Sequence, residues 1–177
     1  MEDKLNIVDE NDEIIGEEAR GKIHKEGLLH RETHVWFLTP NKELILQLRA
    51  KDKDTFPDML DATVGGHVDL GMNYEDTALK EMEEETGIKA KMEDLKFLRK
   101  IRLKSDDLVS GKINNTFKKQ FVYIYNGNLA DLKIEEGKSQ GFEVWPLGRL
   151  QNLTEEEKSH FVPGIVEPEL LDLLAKI

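Results

Sequence analysis

The segment Asn73 to Gly87, NYEDTALKEMEEETG, carries the signals of both ends of a helix, and so restricts what the rest of the chain can be. Asn73 is a residue type that caps the free N–H groups of a first turn, with Asp76 three residues on, and Gly87 takes the left-handed conformation that ends a helix. Ala78, Leu79, Met82 and Thr86 recur at helical spacing and form a stripe that another layer must cover. The same segment packs four glutamates into the five residues Glu81 to Glu85. Positions three and four apart share a helix face, so Glu81, Glu84 and Glu85 fall on one side while Met82 and Glu83 point elsewhere. Their repulsion is relieved by water and salt on an open face, or by divalent cations. Mg2+ prefers carboxylate oxygens together with waters and phosphates, so such a face suits a metal–diphosphate site.

The covering layer reads as strands. THVWFLTP (33–40) and ELILQLRA (43–50) flank Pro40-Asn41-Lys42 as a hairpin, and LDATVGGHV (60–68) is a strand running into a Gly-Gly corner. DLKFLRKIRL (94–103), KQFVYIYNG (119–127) and FEVWPL (142–147) read as further strands, and Leu5 to Val8 with Ile14–Ile15 as a leading hairpin. Trp36 and Trp145 sit in apolar strand runs as core residues. A polar helix opening near Thr154 and the amphipathic EPELLDLLAKI close the chain, and the expected class is α+β, with one early and two late helices on a mixed sheet.

The 177 residues suit one domain. A net charge of −11 excludes a general grip on nucleic acid or anionic lipid, both of which need a basic footprint. There is no cysteine, which removes disulfides, thiolate metal sites and thiol nucleophiles. The acidic start MEDKLNIVDE has no apolar signal core and no window is long and apolar enough to span a membrane, so a cytoplasmic protein is expected.

Gly66, five residues, Met72, seven residues, then Lys80-Glu81-Met82-Glu83-Glu84-Glu85-Thr86-Gly87-Ile88 resembles the signature of the Nudix (MutT-like) hydrolase family. In that signature the fixed positions are Gly, Glu, Arg-Glu-aliphatic, Glu-Glu and Gly-aliphatic, and the chain departs at two of them, with Met72 for Glu and Lys80 for Arg. The stretches DENDEIIG, LRAKDKDTFPDMLDATVGGHV and FEVWPL are similar to the Nudix subgroup that is itself similar to isopentenyl-diphosphate isomerase, so the likeness spans roughly residues 5 to 150.

The resemblance implies a Nudix α/β/α sandwich with a central mixed sheet. It implies one domain over 1–177, with 1–30 as a hairpin-like extension and the box at 65–88 as a loop–helix–loop. It also implies a Mg2+- or Mn2+-dependent hydrolase that cleaves a phosphoanhydride bond in a small-molecule nucleoside diphosphate derivative, and a homodimer. Carried over by position, Glu81, Glu84 and Glu85 hold the cations and the Gly65 carbonyl adds a ligand. Glu81 or Glu84, or another carboxylate from a downstream loop, takes the proton of the attacking water. A further acid from outside the box would come from Glu135, Glu136 or Glu143. Arg49 and Lys53 have the separation of an Arg and a Lys in the isomerase-like subgroup and would meet the substrate phosphates. His67, after Gly66, matches a metal-site position of the isomerase, and His34 resembles another of its histidines.

Isomerase activity is not expected, because that enzyme's cysteine position is Gly65 here and its later acids are matched by Lys118, Lys119 and Gln120. The competing reading is a catalytically weak Nudix-like module that binds a nucleotide or a partner. At the two departures, Met72 is expected to lie along the Lys80 stem with the ammonium in solvent, leaving a working but slower site. The segment 104–118, rich in Gly and Asn, is expected to be a mobile loop.

Overall fold

Strands buried on both faces carry apolar residues without a break. The run Val35-Trp36-Phe37-Leu38 is of this kind and is fully buried in the computed structural model, which describes residues 3–53, 55–107 and 110–177. The chain begins with β1 (Lys4–Val8), β2 (Ile14–Ala19) and α1 (Arg20–Glu26), then β3 (His30–Leu38), β4 (Glu43–Arg49), β5 (Leu60–Asp61) and β6 (Val64–His67). It continues through α2 (Tyr74–Thr86), β7 (Leu95–Asp107), β8 (Lys112–Ile124) and β9 (Ser139–Pro146) to α3 (Leu147–Leu150), α4 (Glu155–Lys158) and α5 (Pro168–Ala175).

β1 and β2 form their own hairpin, while seven strands form a mixed sheet in the order β5-β4-β3-β8-β7, with β6 beside β3 and β9 beside β4. Among the described strands only β3 and β8 pair in parallel. Alternation sorts the side chains into two cores. Val35, Phe37, Ile45 and Phe121 meet Ala78 and Met82 of α2, whereas Trp36, Leu38, Leu44, Leu46 and Val122 meet Leu147, Leu150, Leu170, Leu171 and Leu174 of the C-terminal helices. The sheet is therefore sandwiched between helices, as expected of an α/β/α Nudix fold. Among the described residues no helix is long and apolar enough to cross a membrane.

The expected hairpin between β3 and β4 is paired only at Phe37↔Ile45 and Leu38↔Leu44. Beyond that the strands diverge, and β6 takes the edge of β3 from Glu32 to Val35. Buried Thr63 spans the fork, accepting from the Phe37 N–H at 2.9 Å and donating to the Ile45 carbonyl. The fork opens a cavity of about 650 Å³, lined from both sides by residues such as His34, Gln47 and Gly66.

Three expectations are corrected. Gly65-Gly66 lies inside strand β6, opposite His34 and Thr33, rather than at a corner. Most of 104–118 is not a mobile loop: Lys104↔Asn115 to Asp107↔Lys112 continue the β7–β8 ladder, because its polar residues find partners, Asn114 at Glu32 and Asn115 at the Gly27 carbonyl. Leu108 and Val109 of that segment, like Met1 and Glu2 of the 1–30 extension, lie outside the described residues. Helix α1 is an addition to the expected elements, since its seven residues have no side-chain cap and bury only Ile23 and His24.

Candidate functional site

Helix α2 has the predicted ends. Asn73 accepts from the Asp76 N–H at 2.8 Å, and Gly87 stops the helix at φ 75° with its N–H on the Glu83 carbonyl. Glu81 and Glu85, one turn apart, are on its buried side, 5% and 3% exposed. Glu81 reaches that position because residue 66 is glycine: a Cβ there would sit 2.5 Å from the Glu81 carboxyl carbon. Glu85 Oε2 accepts from Gln47 Nε2 at 3.1 Å and from the Gly65 N–H at 3.4 Å.

A cation already sits between these acids. Lys138 Nζ lies 3.3 Å from Glu81 Oε2, 3.5 Å from Glu85 Oε1 and 3.2 Å from Glu135 Oε2. Burial pushes the Glu85 carboxyl up to about 7 against the pull of the Lys138 charge, and Glu81 adds to the rise. Burial opposes the Lys138 charge too, but Glu85, Glu81 and Glu135 hold its ammonium above the ordinary lysine range. Buried carboxylates that are this crowded and arranged around a positive charge fit a divalent cation, which takes oxygen ligands and relieves the same repulsion.

The structure brings only some of the sequence candidates to this place. Glu84 is on the exposed side, with a side chain 46% exposed and Oε2 3.4 Å from Lys80 Nζ. Glu136 is exposed, and Glu135 is the neighbour that faces the site. Glu143 is also exposed and accepts from Trp145 Nε1 at 3.0 Å. Arg49 and Lys53 both line the cavity. The Arg49 guanidinium, however, donates to the Thr55 carbonyl at 2.8 Å, the Phe56 carbonyl at 3.1 Å and Asp61 Oδ2 at 2.8 Å, which holds the 55–56 loop and leaves little donor capacity for a phosphate. Trp36 is core as expected, and Trp145 packs its ring edge on Phe161, 5.2 Å between centroids.

Lys80 does not extend into solvent along Met72. It donates to Asp69 Oδ2 at 2.9 Å and lies 3.4 Å from Glu81 Oε1, and these contacts, the Asp69 hydrogen bond first, hold it above the ordinary lysine range. Asp69 is fixed in turn: Leu5 of β1 bridges it, and its carbonyl accepts from the Met72 N–H at 3.1 Å. The expectation fails because Asp69, three residues before the signature position, looks in sequence like any other member of a polar turn.

A second cluster adjoins the same cavity, which His24 and His67 line. His24 of α1, His30 of β3 and His67 of β6 each present a ring nitrogen within 4.8 Å of the others. The Nε2 atoms of His24 and His30 are buried without a hydrogen-bond partner, while their Nδ1 atoms meet the Ile113 and Leu28 carbonyls at 3.3 and 2.9 Å. Burial lowers the proton affinity of all three and takes His67 to about 3, which favours the neutral rings that a metal ion needs. Glu32 Oε1 lies 3.3 Å from His67 Nε2. His34 is not a member: its ring lies at Gly65, 5.8 Å from Trp36 between centroids.

Residues 28–164 match the NUDIX domain pattern. The chain belongs to the Nudix family. It is 43% identical over 83 residues to an uncharacterized Nudix hydrolase of Streptomyces coelicolor, a stretch that covers 47% of this chain and 46% of that protein. The chain thus spans about half the length, or less, of the curated Nudix relatives it matches. Among solved structures, a Deinococcus radiodurans protein superposes with a TM-score of 0.69 at 19% identity, covering 98% of both chains. A C. elegans Ap4A hydrolase superposes at 0.53 and 17% identity, over 83% of this chain and 93% of that one. At these identities the likeness shows a shared Nudix fold. Glu81 and Glu85 of this Nudix chain lie on α2, the helix that carries the signature spacing.

Proposed function

We propose that this Nudix protein is a metal-dependent hydrolase that cleaves a phosphoanhydride bond in a nucleoside diphosphate derivative. The observation that carries the reading is the buried Glu81–Glu85 pair closed around a positive charge on the cavity of the β3–β4 fork. Glu81 and Glu85, with the Gly65 carbonyl and Glu84 at the rim, are the proposed ligands of Mg2+ or Mn2+, and the bound ion supplies charge neutralisation of the diphosphate and a more acidic water. Within that site Glu85 is the fixed member, held by Gln47 and the Gly65 N–H. Glu81 receives hydrogen bonds from the lysines 80 and 138, and we assign it the role of accepting the water's proton. Lys53 lines the cavity and is proposed to meet the phosphates, while Arg49 acts by shaping the 55–56 loop. Nucleotide-derived compounds are the proposed substrates, a class to which the Ap4A named for the C. elegans protein belongs.

Isomerase chemistry does not follow from the likeness to that subgroup: the chain has no cysteine, and a side chain at Gly65 would require the His34 ring to shift, since a Cβ there comes 2.9 Å from it. A second metal position at His67, with His24 and His30, is part of the reading; three neutral imidazoles beside a carboxylate suit a Zn2+-class ion.

The test is phosphate-release activity against nucleotide sugars, dinucleoside polyphosphates and nucleoside diphosphates, with and without Mg2+ and Mn2+. Turnover that needs the ion and is lost in Glu85→Gln supports the reading. Nucleotide binding without turnover, indifferent to that change, would establish the binding-module alternative.

A further inference from the structure

We propose that Lys138 is a tethered cation that exchanges partners: it neutralises Glu81, Glu85 and Glu135 before ligands enter, and transfers to the substrate's diphosphate oxygens when a metal–diphosphate complex binds. This rests on the metal role proposed above for Glu81 and Glu85.

The position of Lys138 is built into the backbone. Its N–H donates to the Glu135 carbonyl at 3.2 Å and its own carbonyl accepts from the Ala50 N–H at 3.0 Å, so the turn before β9 is pinned to the end of β4. Gly137, at φ 77°, supplies the left-handed residue this turn requires. The turn thus presents Glu135 and Lys138 together, three residues apart, to the two carboxylates of α2. An ammonium whose backbone is pinned on both sides is part of the fold and not a loose surface charge.

The charges then set the order of events. Lys138 offsets part of the charge of the three carboxylates and lies against the same oxygens a divalent ion would take. A divalent ion seeking the same oxygens would meet the Lys138 ammonium at close range, where like charges repel. The ion and the ammonium cannot both keep these oxygens, so Lys138 has to move. Lysine is well suited to such a move, because its charge is compact, its stem is flexible and its three donors are not fixed in direction. The diphosphate provides the new acceptor. Arg49, the arginine at the fork, is committed to Thr55, Phe56 and Asp61, and a phosphate would have to displace those contacts to engage it. Free metal therefore binds weakly, and metal with diphosphate binds together.

The test uses the full chain with Mn2+ alone, and then with imidodiphosphate, a diphosphate whose bridge resists hydrolysis, both followed by calorimetry. Replacing Lys138→Met removes the charge and keeps the stem. It should bind free Mn2+ about tenfold more tightly, and imidodiphosphate at saturating Mn2+ about tenfold more weakly, the scale of one lost charge-assisted contact. Lys138→Arg, which keeps the charge, should leave free Mn2+ within about twofold of the parent. If Lys138→Met proves unstable, Lys138→Gln with a thermal melt alongside serves the same purpose. Unchanged or weaker Mn2+ binding in a neutral variant that melts like the parent would overturn the proposal. Glu85→Gln separates the two levels. If it abolishes Mn2+ binding while the neutral variants change nothing, the metal site stands and the exchange fails. If it leaves Mn2+ binding intact, both fall.

Discussion

Lys80 Nζ donates to Asp69 Oδ2 at 2.9 Å, so the charge pair tying the loop after β6 to helix α2 is made by a residue three positions before the one the signature designates. The Nudix spacing calls for an acid at Met72, yet the loop supplies one from Asp69, which Leu5 of the N-terminal hairpin holds in place. The site therefore keeps its support despite both departures from the signature.

That relationship changes what substitution should do. Asp69→Asn is expected to lower stability by about 0.2–1 kcal/mol, the range for partly exposed pairs, and to lower turnover several-fold because Lys80 also touches Glu81. Met72→Glu with Lys80→Arg should raise turnover only slightly, since the pair already exists. Denaturant melts and steady-state kinetics decide; a large gain from the double change with no loss from Asp69→Asn would contradict this.

Glu85 sets a pH dependence. Its folded pKa, about 7, lies above the ordinary glutamate value of 4.5, so the folded state holds the extra proton through that window. The sign follows: in the metal-free protein, stability falls as pH rises from about 4.5 to 7, and the penalty is fully present above 7. Glu85→Gln should flatten that slope and melt higher than the parent at pH 8. Mn2+ affinity should fall below pH 7, where the ion competes with the proton. Melts in chelator across pH 4.5–8 check the first effect, and Mn2+ titrations the second.

Gly66→Ala places a carbon where the Glu81 carboxylate lies. The side chain has to swing away, at a cost of about 1–3 kcal/mol for an overfilled position. Turnover should fall at least tenfold, with KM less affected; full activity would show that Glu81 is not needed at its present place.

The three histidines give a metal prediction. Protein exposed to Zn2+ and then desalted should retain about one ion per chain, and a His24→Ala, His67→Ala variant should retain none. The parent should also melt higher with the ion, because it joins α1, β3 and β6. A folded parent that retains no ion would remove this site.

How far the sequence could be read depended on how local the cause was. The ends of α2 were legible because Asn73 and Gly87 act on their own turns, and the strands of the mixed sheet because apolar runs such as VWFL and LIL are local as well, whereas the division into two cores appears only in the packing. The fork between β3 and β4 was not, since it depends on Thr63 bridging two strands that each read as regular. Glu81 and Glu85 were named from spacing, but helical spacing could not show that Glu84, on the same nominal face, would be left at the rim with Lys80. Lys138 and Asp69 carry no pattern of their own. Lys138 is brought in by a turn that docks on Ala50 and Asp69 by a bridge to Leu5, contacts far apart in sequence.

The proposed hydrolysis and the Lys138 exchange both depend on the buried carboxylate pair being a working metal site. The direct measurement is Mn2+-dependent phosphoanhydride hydrolysis by the parent and by Glu85→Gln, on protein shown to be folded, across a panel of nucleotide-derived diphosphates. The expected result is turnover that requires the ion in the parent and a loss of at least about a hundredfold in the variant. Equal rates in parent and variant, or turnover undiminished by chelation, would contradict it.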